Sequence, residues 1–134
     1  MNDKTSWHVC AFAVLCLLVV YASTCQWVVI NGQVIPVEIV KYDPPMDNSI
    51  GNMESNQRVY FAHDYLAGKY IKQLSVNDEF VIIRGVKASH YRVTDVVFYN
   101  RGVSQALAYD NFSDVILQTC EGMKIMIVRA VEEK

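Results

Sequence analysis

The sequence predicts an all-β domain: a closed or partly open β-barrel of about seven to eight strands with one short helix. Beyond the N-terminal segment, apolar residues alternate with polar ones or form short runs, as expected of strands. Turn residues recur roughly every 8–15 positions, a spacing typical of small barrels and sandwiches. The length of 134 residues suits one domain.

The N-terminal segment is strongly apolar and is predicted to direct export. No charged residue occurs from Val9 to Ala22. This length suits the apolar region of a signal peptide and falls short of the roughly 18 residues of a spanning helix. We therefore expect residues 1–24 to be a signal peptide or a short membrane anchor, and residues 25–134 to form the barrel domain. Attachment of a lipid to Cys25 is a further alternative.

Composition excludes several function classes. The formal net charge is −2, and no basic stripe is present, which argues against nucleic acid as a ligand. No CxxC or HxxxH spacing occurs, so neither a metal nor another cofactor is expected. Cys10 and Cys16 lie in the apolar N-terminal segment, which leaves Cys25 and Cys120 in an exported form. A disulfide between these two is one interpretation, because exported proteins favour disulfides.

The first predicted elements are a hairpin and a polar loop. Strands over Trp27–Ile30 and Gln33–Val40 flank Asn31-Gly32, a strong signal for a two-residue turn. Pro36 interrupts the second strand, which predicts an edge strand or a bulge. A polar loop with no more than a short turn of helix is expected over Tyr42–Gln57.

A short strand and a short helix are predicted around His63. The apolar run Arg58–Ala62 leads into His63. Asp64 is placed to cap a helix of at most two turns that ends near Leu74. Gly68 lies inside this helix and weakens it.

Four strands complete the predicted barrel: Glu79–Arg84, His90–Tyr99, Asp114–Cys120 and Lys124–Val131. Turns are expected at Asn77-Asp78 and over Gly85–Ser89. Residues 104–109 fit no single type of element.

Cys120 ends a predicted strand beside a tight turn and is the candidate nucleophile. A thiol reacts as its thiolate, which nearby cations favour. A three-residue loop would place Lys124 across from Cys120, on the same face of the sheet. A two-residue loop would place Met123 there, with Arg129 on the same face, and the sequence does not settle the register. His63 is the candidate acid/base partner, or else a surface or capping residue.

An ordered set of motifs resembles the sortase family. Ile116–Cys120 is similar to the Leu-x-Thr-Cys strand end of sortases. Ala62–Gly68, followed by Leu74 and Asn77–Phe80, resembles their histidine block. An Ile-Pro strand precedes these motifs, and a Tyr-x-Val strand lies between them. The resemblance covers about residues 33–132.

The resemblance implies a β-barrel cysteine transpeptidase at the bacterial cell surface, outside the cytoplasm. In such an enzyme the Cys120 thiolate would attack a peptide bond in the C-terminal sorting motif of an exported protein and form a thioester. His63 would protonate the departing amine and then activate an amine acceptor, such as a wall precursor or a pilin lysine, or water. The N-terminal segment would tie the enzyme to the membrane.

Two features depart from the family pattern. The connection between the cysteine strand and the last strand is very short, although in sortases it often helps to select substrate. Lys124 occupies the place of the arginine that positions substrate and steadies the oxyanion in sortases. Arg129 lies five residues further on, on the opposite face from Lys124. Lys124 and Arg129 are therefore the candidate cations, with Arg101 or Arg84 as alternatives from other loops.

Two other functions stay open at the level of sequence. A sortase-like barrel without efficient chemistry would bind an extracellular peptide or a cell-wall component. An unrelated exported β-domain would use its cysteine structurally. The position of His63 relative to Cys120 separates these alternatives from the transpeptidase.

Overall fold

The structure is a computed structural model that describes residues 3–102 and 109–134. In chain order its elements are α1 (Asp3–Thr24), β1 (Gln26–Ile30), β2 (Gln33–Val40), β3 (Ile50–Met53), β4 (Val59–Phe61), α2 (Gly68–Ile71), β5 (Glu79–Arg84), β6 (Lys87–Asn100), β7 (Val115–Glu121) and β8 (Lys124–Glu132). The strands form a closed barrel in the order β1-β2-β3-β4-β7-β8-β6-β5, which confirms the predicted all-β barrel.

The first hairpin forms as predicted. Asn31 and Gly32 have φ values of 49° and 79° and connect Ile30 to its partner Gln33. Pro36 lies opposite Trp27 of β1, whereas pairing of β2 with β3 begins one residue later. The missing N–H of Pro36 therefore falls where β2 has no second neighbour. Proline is tolerated at such edge positions, because no hydrogen bond of the sheet is lost there.

The polar loop expected over Tyr42–Gln57 is wrong, because it contains β3. This strand pairs parallel with β2 and antiparallel with β4. Its Asn52 is buried, and the side-chain amide donates to the carbonyls of Gln57 and Val59 at 2.8 and 3.0 Å. A polar residue thus belongs to the barrel because it hydrogen-bonds the following chain, which composition alone does not reveal.

The helix after His63 stays within the two turns expected, but it ends at Ile71 rather than near Leu74, and Asp64 does not cap it. A turn precedes α2, in which the amides of Leu66 and Gly68 both donate to the His63 carbonyl, at 3.1 and 2.9 Å. The Asp64 carboxylate instead forms an ion pair with Lys72. Because the His63 carbonyl accepts from these two amides, they are not available to hydrogen-bond a capping side chain.

The predicted turn over Gly85–Ser89 is also too long. Arg84 pairs with Lys87, so the turn contains two residues, and Gly85 supplies the left-handed conformation with a φ of 61°. β6 therefore begins at Lys87. Of residues 104–109, for which no element was predicted, all but Tyr109 lie outside the described part of the chain.

Strand alternation separates an inner from an outer set of apolar residues on β7 and β8. Val115 and Leu117 belong to the main core that fills the barrel. Ile116 and Ile127 belong instead to an outer cluster, which they form with Val59 and Phe61 of β4. This outer face of β4, β7 and β8 carries the candidate site.

Helix α1 precedes the barrel, and its large apolar side chains are exposed, among them Phe12, Leu15 and Leu18. Within residues 3–102 and 109–134, no helix meets the length and apolarity needed to cross a membrane.

Candidate active site

The pairing of β4 with β7 brings His63 and Cys120 to the same place. The two strands are parallel, with Phe61 opposite Gln118. His63 and Cys120 each lie two residues further in the same direction. The Ala62 amide donates to the Gln118 carbonyl at 3.1 Å, which continues the ladder beyond β4. The register therefore puts His63 and Cys120 at the same end of neighbouring strands, in positions that face outward like Phe61 and Gln118.

Close packing fixes the two segments against each other. The buried Thr119 hydroxyl donates to the Ala62 carbonyl at 2.9 Å. A Cβ atom on Gly68 would lie 2.1 Å from the Thr119 Oγ1 and 2.5 Å from the His63 carbonyl oxygen. Glycine is thus required where α2 meets both segments. The His63 ring stacks on Tyr65 with centroids 5.4 Å apart.

The two-residue loop is confirmed, with Arg129 on the face of Cys120, but neither predicted partner of Cys120 is correct. Gly122 and Met123 form the turn, so Glu121 pairs with Lys124 and Cys120 pairs with Ile125. Gly122 has a φ of 59°, the left-handed conformation that a two-residue turn requires. Because side chains alternate along a strand, Lys124 leaves β8 on the face opposite to Cys120.

Arg129 shares the outer face with Cys120 but lies at a distance along the sheet. It pairs with Ile116, four positions before Cys120 on β7. At the rise of a strand this separation is about 13 Å. The β8 positions nearer to Cys120 on this face hold Ile125 and Ile127. The structure therefore does not bring Arg129 beside Cys120.

Arg129 is engaged in a polar network of its own. Its guanidinium lies 2.9 Å from the Asp95 carboxylate, 3.4 Å from the Asp110 carboxylate and 3.0 Å from the Tyr99 hydroxyl. Burial opposes ionisation of Asp110, but hydrogen bonds from the amide and hydroxyl of Ser113, together with Arg129, outweigh it and lower the pKa of this carboxyl. These contacts give Arg129 a structural role in joining β6, β8 and the segment before β7.

Residues 109–114 are held against the outer cluster. The Arg58 guanidinium donates to the carbonyls of Ser113 and Asp110 at 2.7 and 2.9 Å. The Tyr109 hydroxyl donates to the Gln118 side chain, and burial raises the pKa of this phenol. The segment thus forms one wall beside the outward-facing row of β7.

Of the two alternative arginines, one lies near the Cys120 end of the barrel. Arg101 directly follows β6, and its guanidinium donates to the Gly122 carbonyl at 3.2 Å. Arg84 instead pairs with Lys87 at the first residue of β6 and donates to the Tyr60 hydroxyl at 2.8 Å. Because β6 has 14 residues, these two arginines lie at opposite ends of a long strand.

Cys120 and Cys25 are both free thiols, so the disulfide considered from the sequence is absent. Cys120 and His63 are each half-buried. Within the described part of the chain, no group of histidine, cysteine and acidic residues could hold a metal ion.

Sequence reasoning missed Lys72, which lies at the end of α2. Its ammonium is 3.7 Å from the Asp64 carboxylate and 3.6 Å from the Glu121 carboxylate. The sequence-based prediction also gave Gly68 no role beyond weakening the helix. A glycine inside a predicted helix was the one available signal, since such a residue often marks a close contact.

No family model and no curated protein matches this sequence. Solved structures do match the fold. The sortase A lid mutant from Corynebacterium diphtheriae superposes with a TM-score of 0.69 at 16% identity, covering 83% of this chain and 70% of that one. Sortase C1 from Streptococcus suis superposes with a TM-score of 0.67 at 18% identity, and the match covers 99% of this chain and 86% of that one.

A third match is a Clostridium perfringens sortase C whose structure was solved with the C-terminal cell wall sorting motif. Its TM-score is 0.65 at 19% identity, and the match covers 81% of this chain and 69% of that one. At sequence identities this low, the structural likeness shows the fold alone. This chain therefore has a sortase-like fold.

Proposed function

We propose that this protein is a sortase-type cysteine transpeptidase or hydrolase. The observation that carries the proposal is the parallel register of β4 and β7, which leads His63 and Cys120 to the same end of neighbouring strands. The sortase-like fold is the second support. An imidazole beside a thiol is the arrangement required for thiolate attack on a peptide carbonyl.

In the proposed reaction the Cys120 sulfur attacks the carbonyl carbon of a peptide bond and forms a tetrahedral oxyanion. Collapse of this intermediate breaks the C–N bond and leaves a thioester on Cys120. His63 donates its proton to the departing amine. It then accepts a proton from an incoming amine or water, which attacks the thioester and releases the Cys120 thiolate.

The proposed substrate is an extended peptide that carries the sorting motif of an exported protein. The match to a sortase C solved with its sorting motif supports this class. The outward row beside Cys120 is apolar, with Ile125 and Ile127 on β8, and suits an apolar side chain of such a peptide. We propose a wall precursor, a pilin lysine or water as the acceptor.

We also propose that residues 1–24 act as an export signal or a short membrane anchor at the bacterial cell surface. The exposed apolar side chains of α1 support this role, because surface helices of globular domains bury one apolar face. Fractionation of cells that express the full chain tests the proposal.

The proposed activity is tested by peptide cleavage and transfer with the full chain. We expect Cys120→Ala to abolish turnover and His63→Ala to reduce it roughly 10²–10⁴-fold, the usual contribution of a general acid/base. Cys25→Ser and His90→Ala are matched controls at another free thiol and another histidine, and both should keep wild-type rates.

Turnover that persists in Cys120→Ala would reject the proposal. An inactive wild-type protein that still binds the peptide would instead favour a sortase-like barrel that only binds an extracellular peptide or wall component. The apolar Ile125 directly across from Cys120 is the feature that favours this second function.

A further inference from the structure

Lys72 lies between the two carboxylates that directly follow His63 and Cys120 in the chain. Its ammonium nitrogen is 3.7 Å from Asp64 Oδ2 and 3.6 Å from Glu121 Oε2. We propose that Lys72 is a positioning residue that holds the His63 and Cys120 segments in register for the reaction. This inference rests on the proposed transpeptidase function.

The pair of ionic contacts from Lys72 to Asp64 and Glu121, called the bridge below, lies on the side of the strand ends away from the candidate substrate face. Cys120 and Glu121 are consecutive residues of β7, so their side chains leave the strand on opposite faces. Cys120 faces outward, and Glu121 therefore faces the end of the barrel beneath α2. Lys72 directly follows α2 and reaches Glu121 from there. It can orient the two segments without occupying the place of a peptide.

The bridge acts where the backbone ladder has ended. The contacts between the two segments that precede it are the Ala62 amide to the Gln118 carbonyl and the Thr119 hydroxyl to the Ala62 carbonyl. Both lie before the reacting residues in the chain. Lys72 adds a link just beyond His63 and Cys120, so the two residues lie between a backbone contact and an ionic one.

The charge pattern at this end of the barrel gives the lysine a specific effect. Asp64 and Glu121 both bear negative charge, and Lys72 is the cation that contacts each of them. Without this cation, the link just beyond His63 and Cys120 is lost, which leaves the relative position of their side chains less restrained. A displacement of about 1 Å in a reacting group can cost a factor of about 10² in rate.

The bridge is not expected to hold the fold together. The side chains of Lys72, Asp64 and Glu121 are 28%, 35% and 52% exposed. Ion pairs with such exposure contribute little to global stability, because water screens them. The two roles are therefore separable: loss of Lys72 should change the rate of the reaction much more than the melting temperature.

The test compares Lys72→Met with Lys69→Met in the full chain. Both variants remove one positive charge from the same short helical segment, but Lys69 contacts the Tyr70 ring and neither carboxylate. We expect Lys72→Met to lower kcat roughly 10- to 100-fold with KM within about twofold of wild type, since substrate contacts stay intact. Lys69→Met should keep the wild-type kcat, and Lys72→Arg, which restores a cation, should recover most of the lost rate.

A double-mutant cycle separates the bridge from a general effect of charge. Once Lys72→Met is present, Glu121→Gln should have little further effect on kcat, because both changes break the same contact. Fully additive losses would reject the bridge. Circular-dichroism melting identifies any variant that unfolds, and Glu121→Gln tests the same contact from β7 in that case.

The failure of this inference can be told apart from the failure of the proposed function. A wild-type protein without turnover on any sorting peptide overturns both. An active wild type in which Lys72→Met behaves like Lys69→Met overturns the positioning role alone. A fall in kcat that Lys72→Arg rescues supports it.

Discussion

Arg101 and Lys124 both lie at the Cys120 end of the barrel, but Lys124 leaves β8 on the face opposite to Cys120. On β6, Tyr99 pairs with Ile125, the residue across from Cys120. Arg101 directly follows β6, two residues beyond Tyr99. Its guanidinium donates to the Gly122 carbonyl in the turn after Cys120. We propose Arg101 as the cation that steadies the oxyanion.

Arg101→Ala should lower kcat/KM roughly 10²- to 10³-fold, the range found when one oxyanion donor is removed. Arg101→Lys should restore only part of this loss, because lysine lacks the two-pronged donor geometry of arginine. Lys124→Ala is the matched control for a cation at the same end of the barrel, and it should leave kcat/KM within about threefold of wild type, since its side chain leaves β8 on the other face. Steady-state kinetics on one peptide measure all three, and the reverse order of effects would transfer the role to Lys124.

At the scale of elements, α1 differs from the rest of the protein in what it exposes. Its apolar side chains are exposed, such as Leu15 at 57%, so the barrel does not bury them. The barrel, by contrast, keeps most of its apolar residues inside or in the outer cluster. This contrast supports the proposed role of α1 as an export signal or a short membrane anchor.

Leu15→Arg should move the full chain from the membrane fraction to another fraction, because an arginine at the centre of an inserted apolar segment costs about 2.5–3.5 kcal/mol. Val76→Arg is the matched control, as Val76 has a similar exposure of 50% but lies outside α1. It should leave the distribution unchanged. Carbonate extraction followed by immunoblotting measures both, and equal distributions would reject the anchoring role.

Local pattern predicted the elements whose signals are local. β1, β2, β5 and β8 match their predictions within two residues at each end, because alternation and turn residues define them. β3 was missed because Asn52 is polar and buried, and its partners are supplied by the fold. The start of β6 was placed too late because Lys87 and Ser89 read as turn residues, although they pair with Arg84 and Ile82.

At the scale of the whole molecule, closure of the barrel creates the site. β4 and β7 are separated by β5 and β6 in the chain, yet they are neighbours in the barrel. The Thr119–Ala62 hydrogen bond spans 57 positions of sequence. Chemistry-bearing residue types and the family resemblance pointed to Cys120 and His63, but the strand register that brings their segments together is a property of the closed sheet.

The same distinction explains why the sequence does not choose among the candidate cations. The face that Lys124 or Arg129 occupies depends on the parity of the turn after Cys120, and a change of one residue reverses every side chain. The structure makes Glu121 the last paired residue of β7, which turns Lys124 away from Cys120. Arg129 keeps the outward face, but it pairs with Ile116, four positions from Cys120 on β7, and forms ion pairs with Asp95 and Asp110.

A covalent acyl intermediate on Cys120 is the core of the proposed reaction, and trapping it tests the proposal. The full chain is incubated with sorting-motif peptides without an amine acceptor, quenched in acid and mapped by mass spectrometry. We expect a peptide acyl group on Cys120 that hydroxylamine removes, and no such group on Cys10, Cys16 or Cys25. Absence of this adduct with every peptide, while iodoacetamide still alkylates Cys120, would contradict it.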